Sequence, residues 1–474
     1  MKYEIVIGLE THVELDTNSK IFCSCGGHSS AKEANDCVCP ACSGMPGMLP
    51  VMNKRVVELA VTAGLMLNCN INRYTTFDKK NYYYPDLPCA YQITQLNHPI
   101  CTDGCVTVKT AEGNRDIRIK QIHMEEDAGK LVHGGKYSYV DFNRTSVPLI
   151  EIVTQPDFRS AEEVLAYLTK LKSTFRSAGI SECEEGAMRC DVNISVRQEG
   201  SEKFGVRTEI KNMSSFEAID KAIRYEAQRH IDALEFETEE LVQETRRFDE
   251  VSGKTMAMRN KETEADYRYF PDANLMPIII DDEWLEQIKA QKPEAVDEKA
   301  EEYAALGISD KEIELLLSNH KLCNLLDSII ALGCNAKDAA AWLLTDTLGV
   351  LRKDGKTIED ATFGAKELAA VIKMVADGTI NRQAGKKILI AMVEQGVDPV
   401  KYCKEQGLDK KFDASAVETV IETVVAENPQ AVEDFKNGKE KAKQALFGAC
   451  MKQLKGAGDP AVIKQLLDQK LSAL

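Results

Sequence analysis

The sequence predicts an α+β protein whose first part mixes strands with helices and whose remainder is helical. Apolar runs of strand length alternate with amphipathic helices up to about residue 290, and helical spacing alone continues from residue 309 to 474. A chain of 474 residues exceeds what one compact core usually holds. We therefore predict a mixed-sheet domain at 1–293, a helical domain at 294–405 and a small helical tail at 406–474.

The individual elements follow from local patterns. Short runs rich in apolar and β-branched residues predict strands at 3–13, 148–153, 191–196 and 206–211. Capping boxes, in which Ser precedes Glu by three residues, predict helix starts at Ser160, Ser214 and Ser309. The first of these helices ends before Gly179, and the second is expected to bury Ile219, Ile223 and Ile231. The charged stretch 289–302 reads either as a linker or as a solvated helix.

Charge and hydropathy narrow the class of protein. The N-terminus lacks the apolar core of a secretory signal, and the longest apolar stretches are too short to span a bilayer, which favours a cytoplasmic protein without membrane contact. The net charge of −16 argues against nucleic acid unless basic residues are locally grouped.

The first candidate site lies in the N-terminal strand. Alternate side chains of a strand share a face, so Glu10, His12 and Glu14 project together, about 6.6 Å apart per step. Two carboxylates beside an imidazole could hold a divalent cation. A solvated strand face explains the same pattern equally well.

Further acids interrupt apolar strands. Glu151 stands inside one such run, Asp191 shares a strand face with Asn193, and Glu209 shares one with Lys211. An acid buried alone is costly, so a paired or metal-bound role is expected. The run 123–127 adds three consecutive acids, for which a solvated turn is the alternative. Outward faces of half-exposed strands would account for the other acids.

The cysteines indicate a structural metal. Five of the fifteen fall between Cys23 and Cys42. The pairs Cys23–Cys25 and Cys39–Cys42, separated by a loop, predict a four-thiolate zinc site with no open position for catalysis. Cys37 could replace Cys39, although the Cys-x-x-Cys spacing favours Cys39.

Two kinds of sequence indicate contact with a polyanion. Tyrosines alternate with basic residues at 79–84 and 267–269, a combination that suits stacking on bases and contacts to phosphate, or packing between domains. Lysines are grouped in the last module, where a solvated helix face is the alternative. The candidate contacts to a polyanion there are Lys436, Lys439, Lys443, Lys452 and Lys455.

Common nucleotide motifs are absent from the sequence. No Walker loop, dinucleotide fingerprint or kinase signature occurs, and no nucleophile pair suited to amide hydrolysis stands out. Any use of ATP would rest on a less common site.

Taken together, these motifs resemble one family, the B subunits of tRNA-dependent amidotransferases (GatB/GatE). The resemblance follows the family order along essentially the whole chain. The matching segments are 8–13, 42–47, 49–53, 78–82, 123–127, 141–144, 147–151, 192–195, 209–212 and 266–271. Residues 272–275 depart from the family pattern, so we assign that loop no role.

The resemblance implies a cradle-shaped first domain, a helical domain and a YqeY-like tail. It also implies a ligase that uses glutamine as amide donor. ATP phosphorylates the side-chain carboxyl of Glu-tRNA(Gln), Asp-tRNA(Asn) or both, and ammonia then displaces the phosphate. In this family the ammonia comes from a partner amidase, the A subunit, and a small C subunit completes a heterotrimer. Some members lack the four cysteines, so zinc is expected to stabilise the fold.

The resemblance also suggests roles for single residues. Because phosphoryl transfer to an anion needs Mg²⁺, we assign Glu10, His12 and Glu125 as the first choice of metal shell. His12 could instead touch a phosphate, because Mg²⁺ prefers oxygen ligands. Further metal candidates are Glu151, Asp191 and Glu209.

Basic and amide residues complete the expected site. Lys79, Arg144 and Lys211 are the candidates for contacts to phosphate or substrate, with Lys79 also catalytic. Asn143, Asn193 and Asn212 would orient these groups. Two competing interpretations remain at this point: a non-catalytic tRNA-binding scaffold and a metal-dependent RNA hydrolase.

Overall fold

The computed structural model describes residues 2–27, 31, 33–184, 186–260, 267–409, 414–436, 440–453 and 460–472. The chain divides into two compact units, Met1–Val296 and Asp297–Leu474. The first unit holds all the strands of the described residues, and the second is helical. The predicted α+β class is therefore confirmed.

Sixteen strands occur within the described part of the chain. They are β1 (Tyr3–Glu14), β2 (Asn70–Ile71), β3 (Tyr74–Thr75), β4 (Asp78–Asn81), β5 (Tyr91–Thr94), β6 (Cys101–Thr110), β7 (Gly113–Glu126), β8 (Lys130–Gly134), β9 (Tyr137–Asp141), β10 (Pro148–Thr154), β11 (Met188–Gln198), β12 (Thr208–Lys211), β13 (Glu244–Asp249), β14 (Lys254–Asn260), β15 (Phe270–Pro271) and β16 (Ile278–Ile279).

Among the described residues, nine strands form one sheet in the order β14-β13-β12-β11-β1-β10-β7-β6-β2. Its pairings are antiparallel, apart from the parallel pair β12–β13. The N-terminal strand β1 occupies the centre, with β10 on one side and β11 on the other. Residues far apart in the chain therefore become neighbours across this strand.

The helices of the first unit are α1 (Lys54–Met66), α2 (Ala161–Ser177), α3 (Phe216–Phe236) and α4 (Asp282–Gln291), and α5 (Val296–Ala305) begins at its end. The second unit continues with α6 (Asp310–Leu317), α7 (His320–Ala331), α8 (Ala336–Ala341), a π-helical segment (Trp342–Thr347), α9 (Leu348–Lys353), a 3₁₀ turn (Ile358–Asp360), α10 (Ala365–Ala376), α11 (Arg382–Gln395), α12 (Pro399–Glu405), α13 (Ala414–Glu427), α14 (Pro429–Lys436), α15 (Glu440–Gln453) and α16 (Pro460–Ser472).

The helix caps largely follow the sequence. The Ser160 hydroxyl accepts a hydrogen bond from the backbone N–H of Glu163 at the start of α2, and the predicted box at Ser309 starts α6. The start predicted at Ser214 was wrong by one residue, because Ser215 caps α3. The stretch 289–302 lies largely in α4 and α5 rather than in a linker.

The main core lies between one face of the sheet and helices α1–α3. Ile7, Leu9 and Val13 of β1 are fully buried in it, as the alternation of the strand requires. Helix α3 adds Ile219 and Ile223, whereas Ile231, which was also expected to be buried, is half-buried. The opposite face of the sheet is left for polar side chains.

The second unit is built from amphipathic helices around apolar side chains. The helices α13, α15 and α16 share a core that includes Ile421, Leu446 and Leu467. Within the described residues, none of the helices combines the length and hydrophobicity that a bilayer span requires.

Candidate active-site cleft

A cleft of about 1790 Å³ opens on the face of the sheet that points away from the helical core. Its lining comes from β1, β7 and β10–β13, together with a loop that follows β4 and the segment Tyr267–Tyr269. The cleft-facing residues of β1 include Glu10 and His12, which alternate with the buried apolar ones. The face for which the sequence predicts cation binding is thus the face that lines the cleft.

One end of the cleft holds two imidazoles and two carboxylates, which we call the histidine group: His12, His123, Glu125 and Glu151. His12 Nε2 lies 3.5 Å from Glu125 Oε1 and 3.3 Å from Glu151 Oε2. His123 Nε2 lies 3.2 Å from Glu151 Oε2 and 3.8 Å from Glu125 Oε2. The Thr94 hydroxyl donates a hydrogen bond of 3.3 Å to Glu125.

The strand register explains why these residues meet. His12 stands opposite Glu151 in the pair β1–β10, and Glu151 stands opposite His123 in the pair β10–β7. Glu125 is two residues beyond His123 on the same face of β7. Three neighbouring strands therefore each present a polar side chain at one level of the sheet.

The charges within the histidine group stabilise each other. Burial opposes protonation of both imidazoles, but the charges of Glu151 and Glu125 and the hydrogen bonds to these carboxylates together outweigh it, and they raise the pKa of His12 to about 9 and that of His123 to about 10. Burial also acts to raise the pKa of each carboxyl, but the two imidazoles lower it, for Glu151 well below its ordinary value. The group therefore favours ionised acids.

A second set of acids, which we call the lysine group, lies one step along β1. It consists of Glu10, Asp191, Glu209 and Lys211, and one oxygen of each acid lies within 4.8 Å of the other two. Lys211 Nζ forms an ion pair with Asp191 and lies 3.3 Å from Glu209 Oε1. Burial opposes the charge of Lys211, but Asp191 and Glu209 raise its pKa above the ordinary value. Asn193 Nδ2 donates to Glu10 over 3.0 Å.

Eight of the predicted residues therefore come together in the cleft, and four do not. The eight are Glu10, His12, Glu125, Glu151, Asp191, Asn193, Glu209 and Lys211. The four that lie elsewhere are Lys79, Asn143, Arg144 and Asn212.

The side chain of Lys79 lies on the wrong side of β4 for the cleft. Its ammonium is 3.8 Å from Asp272 and 4.2 Å from the ring centroid of Tyr91. The neighbouring Lys80 lines the cleft instead. Because successive side chains of a strand point to opposite faces, a lysine pair can supply only one residue to a given surface. The catalytic role predicted for Lys79 is replaced by a structural contact.

The amides and guanidinium placed elsewhere hold loops. Arg144 donates to the carbonyls of Ala128 and Gly129 over 3.0 and 2.8 Å. The Asn143 oxygen accepts from the backbone N–H of Cys37 over 2.8 Å. Asn212 is exposed and adopts a left-handed φ of 66°. None of these three residues lines the cleft.

The acids after Glu125 are buried rather than solvated, so the solvated-turn alternative was wrong. Glu126 closes β7, accepts a hydrogen bond from the backbone N–H of Ile93 and is 7% exposed. Burial raises its pKa to about 7. Asp127 is held by Arg189 over 2.6 Å.

Aromatic residues form the rim of the cleft beside the histidine group. Tyr82, Tyr267 and Tyr269 make edge-to-face contacts with ring centroids 6.0 Å apart, and the Lys80 ammonium lies 4.9 Å from the centroid of Tyr267. The sequence indicates this combination of tyrosine and base. It assigns no role to His123 or Lys80, although the alternation of β7 places His123 on the face of Glu125.

The four predicted cysteines meet outside the cleft. The sulfur atoms of Cys23, Cys25, Cys39 and Cys42 all lie within 4.8 Å of one another. Cys42 Sγ is 3.8 Å from Cys39 Sγ and 4.0 Å from Cys25 Sγ. Four thiolates at about 2.3 Å from a tetrahedral zinc ion are separated by about 3.8 Å. The donor set therefore fits zinc, and Cys37 lies outside it.

The predicted tRNA contacts of the tail are only partly described. Lys439 and Lys455 lie outside the described residues, as does the side chain of Lys436. Lys443 Nζ is 2.6 Å from Asp468, and Lys452 is exposed in the last turn of α15. Among the described side chains of this set, that of Lys452 is the exposed one.

Comparisons with known proteins identify the family of this chain. A family model described as the GatB/GatE catalytic domain matches residues 5–286, and one described as a GatB domain matches residues 324–471. The chain is 46% identical to a protein of Agathobacter rectalis over 99% of both chains, and 45% identical to one of Carboxydothermus hydrogenoformans over 100% of both. Each relative bears the name of the B subunit of an aspartyl/glutamyl-tRNA(Asn/Gln) amidotransferase. The chain, with its cleft and its four cysteines, belongs to the GatB/GatE family.

Proposed function

We propose that the cleft activates the side-chain carboxyl of a Glu or Asp esterified to tRNA, using ATP, and then joins it to ammonia. As a B subunit of the glutamine-dependent amidotransferases, the chain belongs to a ligase that forms a carbon–nitrogen bond. The products would be Gln-tRNA(Gln), Asn-tRNA(Asn) or both.

The observation that supports this proposal is the convergence of two acid groups in one hollow. Glu10 and His12 are two residues apart on β1, so the lysine group and the histidine group lie about 6.6 Å from each other along the strand. Solvated strand faces, the alternative left open by the sequence, would not share a cavity. The scaffold interpretation gives no reason for buried acids there.

The chemistry needs a leaving group, because a carboxylate does not accept ammonia directly. A carboxylate oxygen of the substrate attacks the γ-phosphorus of ATP, the bond to the β–γ bridging oxygen breaks, and ADP leaves. Ammonia then attacks the carbonyl carbon of the acyl phosphate, the carbon–oxygen bond to phosphate breaks, and inorganic phosphate and a proton are released. The Lys211 and Lys80 ammonium groups, which both line the cleft, would contact phosphate oxygens.

The acids fit Mg²⁺, which prefers oxygen ligands. Glu125 and Glu151 with His12, or Glu10, Asp191 and Glu209, would hold it, since in each set one ligand atom per residue lies within 4.8 Å of the others. A bound Mg²⁺ offsets the charge that develops when phosphate is transferred to an anion. Asn193 would orient Glu10, to which it donates a hydrogen bond.

The remaining parts of the proposal concern partners. A partner amidase, the A subunit of the family, would supply ammonia, and a small C subunit would complete the heterotrimer. Misacylated tRNA would place its acceptor end against Tyr82, Tyr267 and Lys80. The tail lysines, Lys452 among them, would contact phosphates of the same tRNA. Such substrates arise in translation, so we expect the complex to act in the cytoplasm.

Product analysis tests this function. The chain, assembled with its partner subunits, is supplied with Glu-tRNA(Gln), Mg²⁺ and an ammonium salt, with and without ATP. We expect Gln-tRNA(Gln), ADP and phosphate in equal amounts, and only when ATP is present. Cleaved tRNA in the reaction without ATP would establish the RNA hydrolase instead, and binding of tRNA without any product would establish the scaffold.

We also propose that zinc at the four cysteines stabilises the first unit. Cys39→Ser should lower the zinc content and the midpoint temperature of unfolding, while the folded fraction keeps its amidation rate. The measurement combines metal analysis, thermal unfolding and amidation below the midpoint. Loss of amidation with an unchanged unfolding midpoint would contradict a structural role.

A further inference from the structure

A fully buried lysine lies beside the four cysteines. Lys20 is 0% exposed and precedes the first cysteine pair in the chain. Its ammonium donates hydrogen bonds to the carbonyl oxygens of Cys37 and Phe142 over 2.8 and 3.3 Å, and to Cys42 Sγ over 3.5 Å. Lysine is almost never fully buried without a partner of opposite charge. The question is therefore which of these three contacts supplies that charge.

Two other lysines of the first unit that are partly buried face carboxylates. Lys211 forms an ion pair with Asp191, and Lys79 Nζ lies 3.8 Å from Asp272. Lys20 is more deeply buried than either of them, yet its partners among the described residues are two carbonyl oxygens and a sulfur. Carbonyl oxygens satisfy the hydrogen bonds of an ammonium without neutralising its charge. The negative charge must therefore come from the sulfur.

The sulfur that Lys20 contacts belongs to the most buried of the four cysteines. Cys42 is 3% exposed, whereas Cys23, Cys25 and Cys39 are half-buried. Water can solvate part of a charge on the three half-buried sulfurs. At Cys42 the nitrogen donors among the described residues are the Lys20 ammonium and the backbone N–H of Cys39, which lies 3.2 Å from the sulfur. The protein thus places a cation where water has least access.

We propose that Lys20 is the countercharge of the zinc ion held by the four cysteines. All four sulfurs bind zinc as thiolates, so their negative charge exceeds the positive charge of the ion. An excess charge in a buried site is costly unless a cation lies beside it. The proposal rests on the zinc site proposed above and names the residue that sets how tightly the ion is held.

Lys20 also joins the segments that surround the site. Its backbone N–H donates to the carbonyl of Cys25 over 2.9 Å, and its ammonium reaches Cys37, in the segment of the second cysteine pair, and Phe142, which follows β9. Groups that support metal ligands fix the orientation of those ligands, and losing one lowers metal affinity by about ten- to a hundredfold. Lys20 is therefore a positioning residue for the zinc site.

Zinc affinity tests the charge directly. Lys20→Met, which keeps a similar volume without the charge, is prepared in the assembled complex, and zinc is withdrawn by a competing chelator. We expect the dissociation constant of zinc to rise by about tenfold or more. Lys79→Met is the matched control, because Lys79 faces a carboxylate, and its dissociation constant should equal that of wild type. An unchanged dissociation constant in Lys20→Met would overturn the proposal.

Unfolding with and without zinc separates charge from packing. In the zinc-loaded protein, Lys20→Met should unfold at a lower midpoint temperature than wild type. In the zinc-free protein the loss should be smaller, because fewer of the four sulfurs are charged without the metal. Lys79→Met should lower the midpoint by the same amount in both forms. Equal losses for Lys20→Met in the two forms would show that Lys20 serves packing alone.

A third variant decides the matter even where the zinc-free chain does not fold. Lys20→Arg keeps the charge in a larger side chain, whereas Lys20→Met and Lys20→Gln remove it. We expect Lys20→Arg to release zinc to the chelator more slowly than the two neutral variants. Faster release from Lys20→Arg would mean that volume, and not charge, holds the ion. If the wild-type complex contained no zinc, the zinc site itself would fail, which is a different result.

Discussion

The first unit contains two buried clusters that pair a glutamate with a histidine, and they differ in access. The histidine group opens into the cleft, whereas Glu226 and His230 of α3 are both 0% exposed. Glu226 is held by Arg229 over 2.5 Å, by Thr255 over 2.6 Å and by Arg246 over 3.7 Å. Its charge is therefore matched by permanent cations in a closed space.

The comparison shows that a buried acid is not by itself a sign of a catalytic site. In the histidine group the acids face imidazoles, which can give up their protons to make room for a metal ion. Around Glu226 two guanidinium groups stand beside the carboxylate where a metal ion would have to bind, and they cannot be deprotonated. Openness to the cleft, and cationic partners that can all lose their protons, separate a site that binds from a network that stabilises.

The largest expected effect is on catalysis. Glu125→Gln should lower the amidation rate by about a thousandfold, roughly 4 kcal/mol of transition-state stabilisation, because the cation loses a charged ligand. Single-turnover amidation with an ammonium salt measures it. The exposed Glu112→Gln serves as control, and the glutaminase rate of the assembled complex should persist. Full amidation by Glu125→Gln would show that Glu125 is not part of the catalytic site.

The matching change in the closed cluster should act on stability instead. Glu226→Gln removes the fully buried anion of this cluster, so that Arg229 and Arg246 keep only Glu239 and Glu244 as partners. The loss costs roughly 3 kcal/mol of the free energy of unfolding. Urea unfolding measures this loss, and the folded fraction should keep its amidation rate. Glu217→Gln on the same helix removes only an exposed pair with Lys221 and should be nearly neutral. Equal losses of unfolding free energy in Glu226→Gln and Glu217→Gln would contradict a stabilising role for the closed cluster.

The same cluster predicts how stability depends on pH. Burial opposes the charge of Glu226, but its hydrogen bonds with His230, Arg229 and Thr255 lower its pKa from 4.5 to about 2. A lowered pKa in the folded state stabilises the fold above about pH 4.5, and this contribution is lost as the pH falls towards 2. It amounts to about 3 kcal/mol when complete. Wild type and Glu226→Gln should therefore differ most in urea unfolding near neutral pH and converge in acid.

The smallest effect comes from two matched threonines. Thr94 donates to Glu125 in the cleft, and Thr255 donates to Glu226 in the closed cluster. Thr94→Val should lower the amidation rate about fivefold with little change in stability, whereas Thr255→Val should cost about 1 kcal/mol of stability with little change in rate. Kinetics and urea unfolding on both variants measure this. The same response from both would mean that the two clusters do not differ in role.

Much of the fold was predictable because it depends on local patterns. Strand alternation places Glu10 and His12 on one face, and the capping box at Ser309 starts a helix as the sequence indicates. The error at Ser214 arose because the Ser-x-x-Glu pattern selects Ser214, three residues before Glu217, whereas Ser215 caps the helix by accepting a hydrogen bond from the backbone N–H of Ala218. The resemblance to a family supplied the reaction that local patterns do not contain.

The parts of the site that were missed depend on pairing between distant strands. Lys79 and Lys80 are neighbouring residues of the same type, and the sequence does not show which of them β4 directs into the cleft. Asn143 and Arg144 stand in a motif of the family, yet they bind loop carbonyls and a backbone N–H.

The central place of β1 has a consequence for how the molecule is made. This strand is synthesised before its partners β10 and β11, which end at residues 154 and 198. The centre of the sheet therefore cannot form until the chain has been synthesised as far as the end of β11. The many contacts between residues far apart in sequence predict slow folding. Because the acids of the cleft come from strands between residues 10 and 209, a nascent chain cannot bind the cation early, and catalytic competence arrives only when the whole first unit has formed.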